Sequence, residues 1–259
     1  MDSLIESTRD ADVSILTLRH APYNLIGPEL IEALSRSLDQ AYDEGARAVV
    51  LRSGLRHFSA GAEMKMLEQM IATEGHSGLG FDPVGFLGKL ERFPLPVIAS
   101  IHGVCVGGGL ELALACDYIV AAESARLGAV EVTLGLHPLM GGIQRFVQRA
   151  GTLRAKELAM LGRRYDAATF ERWGLINLVV PADQLESATL AIAYELANGP
   201  TIAHAATKRL VQFAVSEGTE AADEAMAEIQ KPLWTSTDVS TGLESYRTSG
   251  AGSARFVGR

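Results

Sequence analysis

Two carboxylates stand where burial makes a carboxylate costly. Glu111 lies in the stretch His102 to Cys116, His-Gly-Val-Cys-Val-Gly-Gly-Gly-Leu-Glu-Leu-Ala-Leu-Ala-Cys. Gly107, Gly108 and Gly109 open a helix there, and Leu110, Leu112, Ala113, Leu114 and Ala115 leave it no polar face. Such a helix is buried nearly all round. Desolvation disfavours a charged carboxylate and raises its pKa. On this stretch alone two explanations stand side by side. A helix N-terminus or a hidden Arg satisfies the group, or the carboxyl is held near neutral pKa for proton transfer. Glu131 is a second isolated carboxylate, in Ala125-Arg-Leu-Gly-Ala-Val-Glu-Val-Thr-Leu-Gly-Leu-His-Pro. Two lone acids, two glycine-rich helix starts (Gly107 to Gly109 and Gly141-Gly142) and no nucleophile paired with a base point to acid–base chemistry. His137 precedes Pro138 with no second His at metal spacing, so neither a metal site nor a redox cofactor is expected.

The elements that position these groups read as an alternating α/β body. Val13 to Leu18 is rich in β-formers and reads as a strand. After a turn through Ala21 to Asn24, Pro28 suits the first helical position. Leu30, Ile31, Leu34, Leu38 and Ala41 recur at helical spacing, and Gly45 closes the helix. Ala48 to Arg52 is the next strand, so strand, helix, strand predicts a parallel crossover. Phe58-Ser-Ala-Gly-Ala-Glu-Met-Lys-Met-Leu runs from a strand end through small residues into a helix start. There a ligand can approach the backbone, and the first amides of the helix are unpaired donors.

Ala72 to Gly88, with Gly75, Gly78, Gly80 and Gly85, reads as a loop before a short helix from Phe86 to Arg92, equally a functional lid or a variable surface excursion. Pro96 to Ile101 and Asp117 to Ala122 read as buried strands. Helices follow from Gly141-Gly142 and from Thr152 to Leu161, and Gly174 to Pro181 is the last strand. Beyond it the chain is helical: Gln184 to Asn198, Thr201 to Glu217, Thr219 to Trp234 and a shorter piece ending near Tyr246. Gly199-Pro200 separates the first two. The end, from Thr248, is small and polar and reads as loosely ordered. Residues 1–198 are thus expected to form the core and 199–259 a helical region that packs back or contacts another subunit.

Bulk composition narrows the partners. With 259 residues the chain can bury a substantial core. A net charge of −8 argues against nucleic acid or an anionic membrane as the main partner. Cys105 and Cys116 sit in the apolar centre and read as small buried hydrophobes in a reducing compartment. No basic region followed by an apolar run opens the chain, and no apolar run is long enough to span a bilayer. A cytoplasmic protein is expected.

The motifs Phe58-Ser-Ala-Gly-Ala-Glu-Met-Lys, Ile101-His-Gly-Val-Cys-Val-Gly-Gly-Gly-Leu-Glu-Leu and Glu131-Val-Thr-Leu-Gly-Leu-His-Pro-Leu-Met-Gly-Gly-Ile-Gln-Arg occur in this order. Together they make the chain resemble the enoyl-CoA hydratase/isomerase (crotonase) family, from the first strand to Tyr246. The resemblance implies an α/β, crotonase-like (ClpP/crotonase) spiral of repeated β-β-α units with a C-terminal helical trimerisation region. Homotrimers, often paired into hexamers, come with it. It implies a lyase acting on an acyl-CoA thioester in fatty acid metabolism (beta-oxidation), with coenzyme A as part of the substrate and no separate cofactor. The amides of Ala62 and Gly108 are then the oxyanion hole, and Ala60, Glu63, Met64, Lys65, Gly107, Pro138, Leu139 and Met140 join them in binding substrate. Glu111 is implied to handle the attacking water and Glu131 the proton at C2. The pair favours hydration of a 2-enoyl-CoA over double-bond isomerisation, the alternative.

Four departures bear on these expectations. The family usually has Asp where Glu63 stands, at a contact made by backbone. A proline commonly precedes the second glutamate, where this chain has Val130 after Ala129. The family has Gly-Ala where Leu139-Met140 stand, and two larger side chains there imply an altered or shortened acyl site. The basic run before the last Phe, which helps hold the CoA nucleotide, is here Thr248 to Ala254, leaving Arg247 and Arg255 as substitutes. Two readings from other classes compete. A related fold carries serine proteases, but Gly107 to Glu111 contains no serine. A non-catalytic acyl-CoA-binding protein would bind CoA esters tightly without turnover.

Overall fold

The computed structural model describes residues 3–74 and 82–258. Gly75, Gly78 and Gly80 of the stretch read as a loop lie outside the described residues. The strands are β1 (Ile5–Asp10), β2 (Val13–Leu18), β3 (Ala48–Ser53), β4 (Val97–Ile101), β5 (Val104–Val106), β6 (Tyr118–Ala122), β7 (Arg126–Gly128), β8 (Tyr165–Asp166) and β9 (Leu178–Val180). The helices of the body are α1 (Pro28–Asp43), α2 (Met64–Ala72), α3 (Pro83–Glu91), α4 (Gly108–Leu114), α5 (Gly142–Leu161), α6 (Ala167–Arg172) and α7 (Leu185–Asn198). Then follow α8 (Thr201–Glu217), α9 (Thr219–Ile229), α10 (Lys231–Thr235) and α11 (Thr237–Ser249).

A six-stranded sheet runs in the order β1-β2-β3-β4-β6-β9. Only β1 is antiparallel to its neighbour; the other pairs are parallel. Side chains alternate across it with the period of a pleated strand. Leu16, Leu18, Val49, Leu51, Val97, Ala99, Ile119 and Ala121 enter the main core with α1, α4 and α5. Val13, Ile15, Ala48, Val50, Ile98, Val120 and Ala122 face the other way, onto Leu185, Ala193 and Ala197 of α7. Burial on both faces explains why these strands read as unbroken apolar runs.

A smaller sheet, β5-β7-β8, lies beside the large one, and isolated bridges Ser59–Cys105 and Ile26–Ala62 extend the same line of pairing. The chain therefore repeats one course. A strand of the large sheet leads to a short extended segment of the small layer and then to a helix, as in β4-β5-α4 and β6-β7-α5. Phe58 to Ala62 does the same between β3 and α2. This is the expected spiral of β-β-α units.

The elements differ from expectation where local signals are weak. β1 carries no strand signal in its residues, because beyond Ile5 they are exposed and it is an edge strand without an apolar run. The helix expected from Phe86 begins at Pro83, with the Asp82 side chain accepting the amide of Gly85 at 2.8 Å. The helix expected over Thr219 to Trp234 breaks at Gln230, because Pro232 opens α10 and cannot continue a helical hydrogen-bond ladder. The last strand shortens to three residues, while Leu175 and Ile176 are buried ahead of it.

The tail is not loose at Phe256 to Gly258. Asp238, 2 % exposed, accepts the amides of Val257 and Gly258 at 2.8 and 2.9 Å, and Arg47 donates to the Phe256 carbonyl at 2.8 Å. Arg47 also donates to the Gly199 carbonyl, and Lys208 of α8 pairs with Asp117 at 2.6 Å. Cys105 and Cys116 are free and buried, as expected, and burial pushes both thiols up. Among the described residues no helix is long and apolar enough to cross a membrane.

Candidate active site

The approach to the site begins with a backbone requirement. Gly107 adopts φ 54° and ψ −132°, a left-handed conformation that an L side chain rarely takes. It turns β5 sharply into α4, so Gly108 begins the helix and Glu111 falls in its first turn. All seven residues of α4 are buried. Gly61, at φ 107°, makes a comparable turn ahead of α2. Its carbonyl takes the amide of Ile26, and the Ile26 carbonyl takes the amide of Glu63. Ala62 lies between these two bonds. Neither the Ala62 nor the Gly108 amide donates to any acceptor among the described residues. Two free donors at helix starts favour developing negative charge.

Glu111 is 2 % exposed. Its Oε1 accepts the Met140 amide at 2.9 Å and the Gly142 amide at 2.7 Å, both from the start of α5, while Oε2 has no hydrogen-bond partner among the described residues. Burial pushes its pKa up to about 7, against the Gly142 amide, and the nearby Glu131 carboxylate adds to the rise. The two explanations for a buried carboxylate thus coexist: a helix N-terminus does hold Glu111, and it still titrates near neutrality. Arg145 opposes the rise, and its guanidinium is itself tied to Glu91 at 2.8 and 2.7 Å and to the Gly141 carbonyl at 3.0 Å.

Glu131 begins a single 3-10 turn, Glu131–Leu134. Both its carboxylate oxygens are buried and lack a hydrogen-bond partner among the described residues. Burial raises its pKa. Its own amide, His137 and the Val130 amide pull the other way without satisfying those oxygens. A Cβ on Gly107 would sit 3.4 Å from Glu131 Oε1, so this acid lies against the same turn that starts α4.

Both acids open into one cavity of about 610 Å³. Of the residues expected to bind substrate, Ala60, Ala62, Met64, Gly107, Gly108, Leu139 and Met140 line it. Glu63, Lys65 and Pro138 do not. Glu63 turns its carboxylate toward His20, 3.7 Å away, Lys65 is exposed, and Pro138 is buried outside the lining. Arg247 and Arg255 are exposed and also outside it. The residue reading missed Met66, Leu67 and Met70, although their spacing on α2 marks one helical face. It also missed Leu134 and Leu136, whose turn carries no periodic signal. Among the described residues no three His, Cys, Asp or Glu side chains cluster as metal ligands.

Known proteins resemble this chain in sequence and in fold. The family model described as enoyl-CoA hydratase/isomerase matches residues 8–251. The "Probable enoyl-CoA hydratase echA8" of Mycobacterium tuberculosis is 34% identical over 216 residues, covering 81% of this chain and 83% of the relative. The crystal structure of a "probable enoyl-CoA hydratase/isomerase" from Mycobacterium abscessus superposes with a TM-score of 0.88 at 29% identity, covering 99% of both chains. An enoyl-CoA hydratase structure from Polaromonas sp. JS666 gives 0.89 at 26% identity, covering 97% of this chain and 99% of that one.

Proposed function

The chain belongs to the enoyl-CoA hydratase/isomerase family and has its crotonase fold, and we propose that within it the protein hydrates the 2,3 double bond of a 2-enoyl-CoA thioester. The observation that carries this reading is the pairing of two unlike acids in one cavity with two free amides. Glu111 titrates near 7 with one oxygen held, while Glu131 has both oxygens buried and unpartnered. The charge of one raises the pKa of the other, so the pair favours holding a single proton.

In this scheme the amides of Ala62 and Gly108 receive the thioester oxygen. A water on Glu111 Oε2 attacks C3, and its proton passes to Glu111. The electron pair of the double bond moves toward C2, and the enolate charge rests on the thioester oxygen. Protonated Glu131 delivers its proton to C2. The product carries one added water, and transfer of one proton from Glu111 to Glu131 restores the starting state. Each oxyanion donor contributes about 3 kcal/mol of barrier lowering. Coenzyme A enters only as part of the substrate.

Purified protein is expected to hydrate crotonyl-CoA, and Glu111→Gln and Glu131→Gln are each expected to lower kcat by about 10²–10⁴-fold. Retention of full rate by both variants would defeat the scheme. Migration of the double bond in a 3-enoyl-CoA, with no 3-hydroxy product, would assign the isomerase reaction instead. We also place the enzyme in the cytoplasm as a homotrimer or a pair of trimers. In support, Val211, Val215, Trp234, Leu243 and Tyr246 of α8, α10 and α11 are between 47% and 69% exposed.

A further inference from the structure

A buried ion pair reaches Glu111 through a single peptide unit. Arg145 is 8 % exposed, and its guanidinium donates from Nε to Glu91 Oε1 at 2.8 Å and from Nη2 to Oε2 at 2.7 Å. Its third nitrogen, Nη1, donates to the Gly141 carbonyl at 3.0 Å. That carbonyl shares its peptide unit with the Gly142 amide, which donates to Glu111 Oε1 at 2.7 Å. A peptide unit is planar, so holding its carbonyl also aims its N–H. Glycine is required at 141: φ is 98°, and a Cβ there would stand 2.6 Å from Arg145 Nη1. Arg145 and Glu91 are not among the residues lining the cavity, so neither touches substrate.

We propose that Arg145 and Glu91 are positioning residues of the hydration site, which lock the Gly141–Gly142 peptide so that it grips Glu111 Oε1 and leaves Oε2 free for the attacking water. The inference rests on the hydration reading above. A donor on the carbonyl also polarises the peptide and strengthens its N–H toward the carboxylate. The planar guanidinium fork makes all three contacts at once, which an ammonium group cannot reproduce.

The same pair sets the charge around the acid. Glu131, from the turn after β7, raises the pKa of Glu111, and Arg145, from α5, lowers it. Asp82, at the head of α3, lines the same cavity, and Arg149, one turn beyond Arg145, interacts with both Arg145 and Glu91. Glu91 offsets the charge of Arg145. Removing one member of the pair therefore moves the proton affinity of Glu111 in the direction opposite to removing the other. A purely structural role for the pair gives no such opposition.

The test follows kcat and KM for crotonyl-CoA against pH. In parallel, Glu111 is titrated by carbon NMR of protein carrying carboxyl-labelled glutamate, its resonance assigned by its loss in Glu111→Gln. Arg145→Gln is expected to move that titration, and the rising limb of kcat/KM, up by at least about half a pH unit, and Glu91→Gln to move both down. Arg145→Lys keeps the charge and loses the fork. It is expected to titrate close to the parent and to lose at least about tenfold in kcat above the limb, with KM little changed. Circular dichroism checks folding, and should Arg145→Gln fail to fold, Glu91→Gln and Arg145→Lys carry the test. Shifts of the same sign, or no shift, in folded variants would overturn the inference while leaving hydration intact, as would full kcat in Arg145→Lys. Opposite NMR shifts in a protein that hydrates no ester would keep the pair as the setting of Glu111 and remove the reaction. No hydration and no shift would remove both.

Discussion

Glu111 ties stability to chemistry. Its pKa of about 7 in the folded chain lies above the value of an unhindered glutamate, so the folded state holds that proton more tightly than the unfolded one. The sign follows by linkage: the folded state loses stability as pH rises from about 4.5 to about 7, and the full cost is present above that window. Glu111→Gln keeps an acceptor for the Met140 and Gly142 amides and removes the charge. It is therefore expected to be more stable than the parent at pH 8, by on the order of 3 kcal/mol, with the difference vanishing near pH 4.5. Urea unfolding across that range measures it, and a variant less stable at pH 8 would contradict the buried-charge account. The same titration predicts activity. Glu111 must be ionised to take the proton of water, so kcat/KM in the parent is expected to rise with pH through about 7.

At the scale of elements, the start of α5 acts as a clamp. Its amides hold Glu111, and Arg145, one turn on, binds the Gly141 carbonyl and reaches Glu91 of α3. A Cβ on Gly142 would stand 2.8 Å from Glu111 Cγ and 2.9 Å from Oε1, both in a side chain that cannot swing away from its two amides. Gly142→Ala is therefore expected to displace the carboxylate and lower kcat at least about tenfold with the helix content unchanged by circular dichroism. Full activity would show that the clamp has slack. The periodic apolar face of α1 and the small-residue turn before α2 were legible from local spacing. The clamp was not, because it joins Glu111 to amides 29 and 31 residues away in sequence. Which of the small-residue turns meet is a consequence of parallel pairing, from Ser59 to Cys105 and from β5 to β7, and neither segment encodes its partner alone.

Across the whole molecule, the terminal helices are fastened to the sheet by a few polar contacts. Lys208 lies between Asp117 and the Leu95 carbonyl, and Asp117 also accepts the amide of Val97 at the start of β4. Burial raises the pKa of Asp117 and Lys208 opposes that rise. Lys208→Met is therefore expected to leave Asp117, whose side chain is 27% exposed, with the Val97 amide alone and to lower stability by up to about 1 kcal/mol, more at neutral than at acid pH; an unchanged urea midpoint would contradict this. Sedimentation should return the mass of three or six chains if the exposed apolar residues of α8, α10 and α11 form the subunit contact, and a monomer would remove that reading. The residues alone determined the alternation of strands and helices, the two costly acids and the glycine-rich turns, because each is written in spacing and side-chain type within a single segment. Only tertiary structure decided that both acids enter one cavity, that Glu63 and Lys65 stay out of it, and that α2 supplies its apolar wall. Those outcomes depend on how successive turns of the spiral stack, and stacking is set by hydrogen bonds and packing between segments that are remote in the chain.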